Sequence, residues 1–110
     1  MSRERVAFEI GTSVEHAVSM CTWAAQVEGL RVEQTGPDRL LVRQPMNFTT
    51  YTITLDVRLV PTGGGTTVQV DALVNAYGPI QSRGLREVVA RFQARVLDGM
   101  GRAMGPGGGA

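Results

Sequence analysis

The segment YTITLDVRLVPTGGGTTVQVDALVNAY, Tyr51 to Tyr77, decides the fold. Tyr51, Ile53, Leu55, Val57 and Leu59 alternate with Thr52, Thr54, Asp56 and Arg58, so one side of an extended chain is apolar and the other polar. After Pro61-Thr62-Gly63-Gly64-Gly65 the alternation resumes, with Thr66, Val68, Val70, Ala72, Val74 and Ala76 on the apolar side. Two such runs around a Gly-rich break read as a β-hairpin. Its register follows from charge. A register that sets Asp56 against Asp71 is repulsive, so the reading pairs Asp56 with Gln69 and Arg58 with Thr67 around a loop at Pro61 to Gly64. The opposite face of the hairpin (Thr50, Thr52, Thr54, Asp56, Thr67, Gln69, Asp71, Asn75) is Thr-rich and reads as solvated. Leu73 is its apolar exception, and Tyr77 extends it.

Toward the N-terminus, Val6, Phe8 and Ile10 alternate with Arg5, Ala7 and Glu9 in a first strand that Gly11 breaks. Thr12-Ser13-Val14-Glu15 fits a capping box with Thr12 as the N-cap, opening a helix to about Val27 that Gly29 stops. Leu30–Gln34 and Arg39–Arg43 flank the turn residues Thr35-Gly36-Pro37-Asp38 and read as a second hairpin; Gln44-Pro45-Met46-Asn47 interrupts the pattern. Toward the C-terminus, Gly78-Pro79 ends the sheet. A long amphipathic helix follows from about Ser82 to Met100, with Leu85, Val88, Val89, Phe92, Val96 and Met100 on one stripe. The fold class is therefore α+β, in the order β-α-β4-α, with an antiparallel sheet packed against the C-terminal helix. Residues 1–102 form one domain, and the Gly-rich residues 103–110 read as a disordered tail with nothing to bury.

Composition narrows the function classes. A net charge of +1 over 110 residues gives no general attraction to nucleic acid. The charge is mildly uneven, −2 over residues 1–77 and +3 over 78–110. All eleven basic residues are Arg, which removes Lys-based Schiff-base chemistry and the Walker phosphate loop. One Cys forms no internal disulfide, and the residues lead one to expect neither a signal peptide nor an apolar span for membrane insertion. The expected compartment is the cytoplasm, where the sequon at Asn47 is idle.

GTSVEHAVSMCTWAAQ, Gly11 to Gln26, holds the chain's only His, Cys and Trp. At about 100° per residue, His16 and Cys21 lie roughly 140° apart around the helix and make no catalytic dyad. No metal-ligand set forms, and no cofactor is expected. Cys21 joins Val14, Ala17, Val18 and Ala25 on the core stripe. His16, Met20, Trp23 and Val27 form a second stripe, which packs on the C-terminal helix, lines a ligand cleft or makes a subunit contact. Arg91, Arg95 and Arg102 share a flank of the last helix. Glu87 four residues before Arg91 and Asp98 three after Arg95 read as local ion pairs on a solvated face. Gly63-Gly64-Gly65 lies between strands, so it is a turn rather than a phosphate cradle.

The entry VAFEIGTSVEHAVSM and the exit YGPIQSRGLREVVARFQARVLDGMGRAM resemble the first strand, capped helix and long last helix of the START/Bet v1-like superfamily. That helix-grip superfamily includes polyketide cyclases and lipid-transfer proteins. The order of elements also resembles the smaller TATA-binding-protein-like fold. The helix-grip resemblance implies a curved sheet that holds an apolar or lipid-like molecule against the last helix. Its lining residues would be Phe8, His16, Met20, Trp23, Tyr51, Ile53, Val70, Phe92 and Val96. A cyclase-like enzyme would need His16 near an Arg or Tyr, which the residues do not support, so the expected function is non-enzymatic. The alternative is a ligand-free interaction module, homodimeric through the first helix.

Overall fold

The computed structural model describes residues 2–44, 53–74 and 79–104. Its elements are β1 (Ser2–Ile10), α1 (Val14–Val27), β2 (Arg31–Gly36), β3 (Arg39–Arg43), β4 (Ile53–Thr62), β5 (Gly65–Val74) and α2 (Pro79–Met104). The five strands form one antiparallel, curved sheet in the order β1-β5-β4-β3-β2. Because β1 and β2 are opposite edges, α1 must cross the sheet between them; it packs over β2 to β5 while α2 lies on β1 and β5. Both helices thus cover one face, as the α+β order requires. α2 begins at Pro79 and runs through Met104, longer at both ends than the apolar stripe marks.

The inner face follows the alternation. Leu40, Val42, Ile53, Leu55, Val57, Leu59, Val68, Ala72 and Val74 are buried, against Leu85, Val89, Phe92 and Val96 of α2 and Ala17, Cys21, Ala24 and Ala25 of α1. Each fully buried Leu, Val or Phe contributes about 1.5–3 kcal/mol relative to exposure, so this layer dominates the stability. The alanines of α1 let that helix sit close to the sheet.

The β4–β5 register corrects the sequence reading. Asp56 faces Asp71, not Gln69, and Arg58 faces Gln69, not Thr67; Thr62 pairs with Gly65 around a two-residue turn at Gly63-Gly64. Two-residue loops are the commonest hairpin closures. The repulsion that argued against this register is relieved by strands outside the hairpin. Arg39 on β3 makes two hydrogen bonds to Asp56, at 3.1 and 2.8 Å, and Arg3 and Arg5 on β1 approach Asp71 at 3.4 and 3.6 Å. Pro61 sits within the ladder opposite Thr66, beyond the stretch of β4 that pairs with β3, where its missing N–H costs no second ladder bond.

The helix start is displaced by one residue. Ser13, not Thr12, is the N-cap of α1, its hydroxyl accepting from the His16 N–H at 3.2 Å. That frame places His16 at the third helical position, so Glu15 does not close a capping box. Thr12 is engaged elsewhere: its carbonyl accepts from the buried Thr66 hydroxyl at 2.8 Å, which ties the chain before α1 to β5. At the other end Gly29, at φ 75°, sits in the left-handed region. The Leu30 N–H reaches the Ala25 carbonyl at 2.8 Å and the Gly29 N–H the Gln26 carbonyl at 3.0 Å, the paired bonds of a Schellman stop.

The two helices are held together in two ways. A Cβ on Gly99 of α2 would lie 2.7 Å from the Trp23 ring and 3.1 Å from Met20 Sδ, so the missing side chain lets the helices approach. Farther along, Arg95 donates twice to Glu28 Oε2, at 3.1 and 2.9 Å, and Arg91 approaches its other oxygen at 3.6 Å. The Glu28 side chain is only 15% exposed. These arginines therefore bridge α2 to the end of α1, a role that the local spacing of Glu87 and Asp98 did not show. The side chain of Arg102 lies outside those described.

Candidate functional site

The layer between sheet and α2 is the place where the helix-grip resemblance puts a ligand. Ile53, Val70, Phe92 and Val96 all belong to the one core cluster, exposed by 2% or less; Val70 is on β5, which α2 packs on, whereas Ile53 is on β4, which α1 packs on. Phe8 packs against the cluster from the edge strand β1 and is half-buried. Met20 and Trp23, also half-buried, lie on the seam between α1 and α2 at Gly99. His16 is exposed in the first turn of α1, and Val27 is 47% exposed near its end. Tyr51 lies outside the described residues. The four residues of the second stripe thus divide: α2 covers the middle two and leaves the outer two at the surface.

The chemistry of the layer is apolar. Among the described residues, the one buried polar side chain is Thr66, whose hydroxyl is committed to the Thr12 carbonyl. Cys21 is fully buried, and burial pushes its thiol up to about 12. At neutral pH it is a small apolar side chain rather than a nucleophile. No group of three or more His, Cys, Asp or Glu among the described residues could hold a metal ion.

The outer face of the sheet carries a different site, which sequence reasoning missed. A depression of about 510 Å³ is lined by Arg5, Arg39, Asp56, Arg58, Gln69 and Asp71, with Val6, Ala7 and Val70 completing it. Four adjacent strands contribute to it, β1, β5, β4 and β3. The Arg39 guanidinium beside Asp56 holds that carboxyl below the usual carboxylate range. One oxygen of Asp71 is buried without a hydrogen bond, though Arg3 and Arg5 stand near it. The strand parity of Arg5, Arg39 and Arg58 was readable. What the hairpin alone could not give was the strand order that gathers them.

No protein-family model matches the sequence, and no curated protein matches it either. Among solved structures, the chain is similar to the crystal structure of DynU16, a protein ascribed to the dynemicin biosynthetic locus. The TM-score is 0.69 at 16% identity, over 97% of this chain and 48% of that one. The chain therefore spans about half the length of this neighbour. At that identity the likeness bears on the fold, and it fits a helix-grip-like arrangement of a curved antiparallel sheet and a C-terminal helix.

Proposed function

We propose that the domain is a non-enzymatic carrier or sensor of helix-grip type, which holds an apolar, lipid-like small molecule between the sheet and α2. The observation that carries this reading is the chemistry of the layer. Described side chains there offer methyl groups and the Phe92 ring, with no charge and no activated nucleophile. A ligand recognised by such walls gains affinity from apolar burial, roughly 25 cal/mol per Å² before ordering costs. About 200 Å² of ligand surface would contribute on the order of 5 kcal/mol gross. The fold likeness to a protein of a biosynthetic locus supports a role in handling small organic molecules. It says nothing of which one.

Native mass spectrometry of protein purified from its own host tests the reading. The expected result is a bound apolar adduct released by organic solvent. Protein that carries no adduct, and takes up none from a panel of fatty acids and polycyclic aromatics, contradicts it.

A further inference from the structure

We propose that β1 is the seam of a homodimer, in which the β1 strands of two copies pair antiparallel and join the two sheets into one. The two edges of this sheet differ. β2 is six residues long and bulged between Gln34 and Gly36, a common device for blunting an edge. β1 is nine residues long and pairs with β5 without a register break; among the described residues no strand pairs with its other side. Its outward backbone groups are therefore a template for another strand.

The side chains of β1 select a second copy of the same strand as the occupant. Arg3, Arg5, Ala7 and Glu9 are exposed on the outer face, positive at one end and negative at the other. An antiparallel pairing with Ala7 on the two-fold axis sets Arg5 of each copy against Glu9 of the other. On the inner side the same register sets the half-buried Val6 against the half-buried Phe8, twice. At the centre of the seam opposite charges meet and apolar meets apolar; at each end the half-buried Glu4 falls opposite Ile10, and Arg3 opposite Gly11.

The helices agree with this arrangement. A two-fold axis along the sheet normal keeps α2 of both copies on one side. A helix seated over the β1–β5 groove lies about one strand spacing, ~4.8 Å, from the seam, so the two α2 helices would stand roughly 10 Å apart. That is within the usual packing distance of helices. The flank of α2 turned away from α1 carries Leu97, which is 44% exposed and would meet its copy across the axis. Leu97 and Val27 are the large exposed hydrophobics of the described chain, and this seam accounts for the one on α2.

Light scattering coupled to size exclusion, from micromolar to millimolar protein, is the test. Wild-type protein is expected at twice 11.8 kDa. Glu9→Arg places like charges across the seam and should weaken the dimer at least about tenfold while circular dichroism is unchanged; Arg5→Glu does the same but also reverses the ion pair with Asp71 inside the monomer, so it is read together with the double swap. The double swap Arg5→Glu/Glu9→Arg should restore it. Ala7→Cys, at an exposed position on the axis, should form a disulfide-linked dimer under mild oxidation, since the native Cys21 is buried. A wild-type monomer throughout, or single reversals that dimerise as wild type does, overturns the proposal. So does an Ala7→Cys protein that stays uncrosslinked.

Discussion

Gly65→Ala and Gly64→Ala differ by one position and should differ widely in stability. A Cβ on Gly65 would lie 2.2 Å from the Ile10 carbonyl oxygen and 3.0 Å from Gly11 Cα, both backbone atoms at the end of β1. A Cβ on Gly64 meets nothing within 4 Å. Relief at Gly65 requires β1 to withdraw by about an ångström, which disturbs the pairing of Ile10 with Thr66 and the bond from Thr66 to Thr12. Overpacking of this kind costs about 1–3 kcal/mol, and a strained hydrogen bond about 1 more. Against this, replacing Gly stiffens the unfolded chain and returns about 0.4–1 kcal/mol. The balance is a loss of about 2 kcal/mol, or roughly 10 °C in Tm for a domain of this size. For Gly64→Ala only the entropic gain applies, so its Tm should hold or rise slightly. Urea melts followed by far-UV circular dichroism read both. Equal stability of the two variants would refute the reasoning and with it the tight turn at Gly63-Gly64 that places Gly65 beside β1.

Thr66→Val keeps the shape of a fully buried side chain but strands the Thr12 carbonyl, and should cost about 1–2 kcal/mol in the same assay. A double-mutant cycle of Glu28→Gln and Arg95→Gln should show a coupling of about 1 kcal/mol that shrinks in high salt; zero coupling would mean that the helix bridge contributes nothing. Cys21 should resist thiol reagents at pH 8 in the folded protein and react fully in denaturant. Because the folded thiol is raised from 9.0 to about 12, the stability that its burial supports is complete below pH 9 and lost as pH climbs toward 12. Asp56 works in the other direction. Its lowered carboxyl stabilises the fold above the usual carboxylate range and ceases to as pH falls through the lowered value, so Arg39→Gln should be weaker than wild type at neutral pH and indistinguishable in strong acid.

Much of the fold was legible because two periodicities are clean in this chain. The alternation in β1, β4 and β5 and the stripe of α2 each depend on neighbours within one element, and within the described residues, which leave out Tyr51 and Ala76, each agrees with the sequence pattern. The stop at Gly29 was legible for the same reason. What failed depended on partners distant in sequence. Asp56 and Asp71 repel only as an isolated pair; Arg39, Arg3 and Arg5 arrive from strands that the hairpin does not name. The cap lies at Ser13 rather than Thr12, whose carbonyl is held by Thr66, far along the chain. Arg91 and Arg95 had plausible partners nearby, and the structure shows them reaching across to Glu28. The candidate ligand layer was legible as an apolar face. The arginine-lined depression opposite it was not, since it exists only once four strands take their order.

Whether an apolar ligand enters the layer beneath the helices is read by methyl NMR during titration with a medium-chain fatty acid. Shifts are expected at Ile53, Val70 and Val96, with the outer-face methyls of Thr54 and Thr67 unmoved. A spectrum that does not change, or changes only around Arg5, Arg39 and Arg58 on the outer face, would contradict binding in that layer.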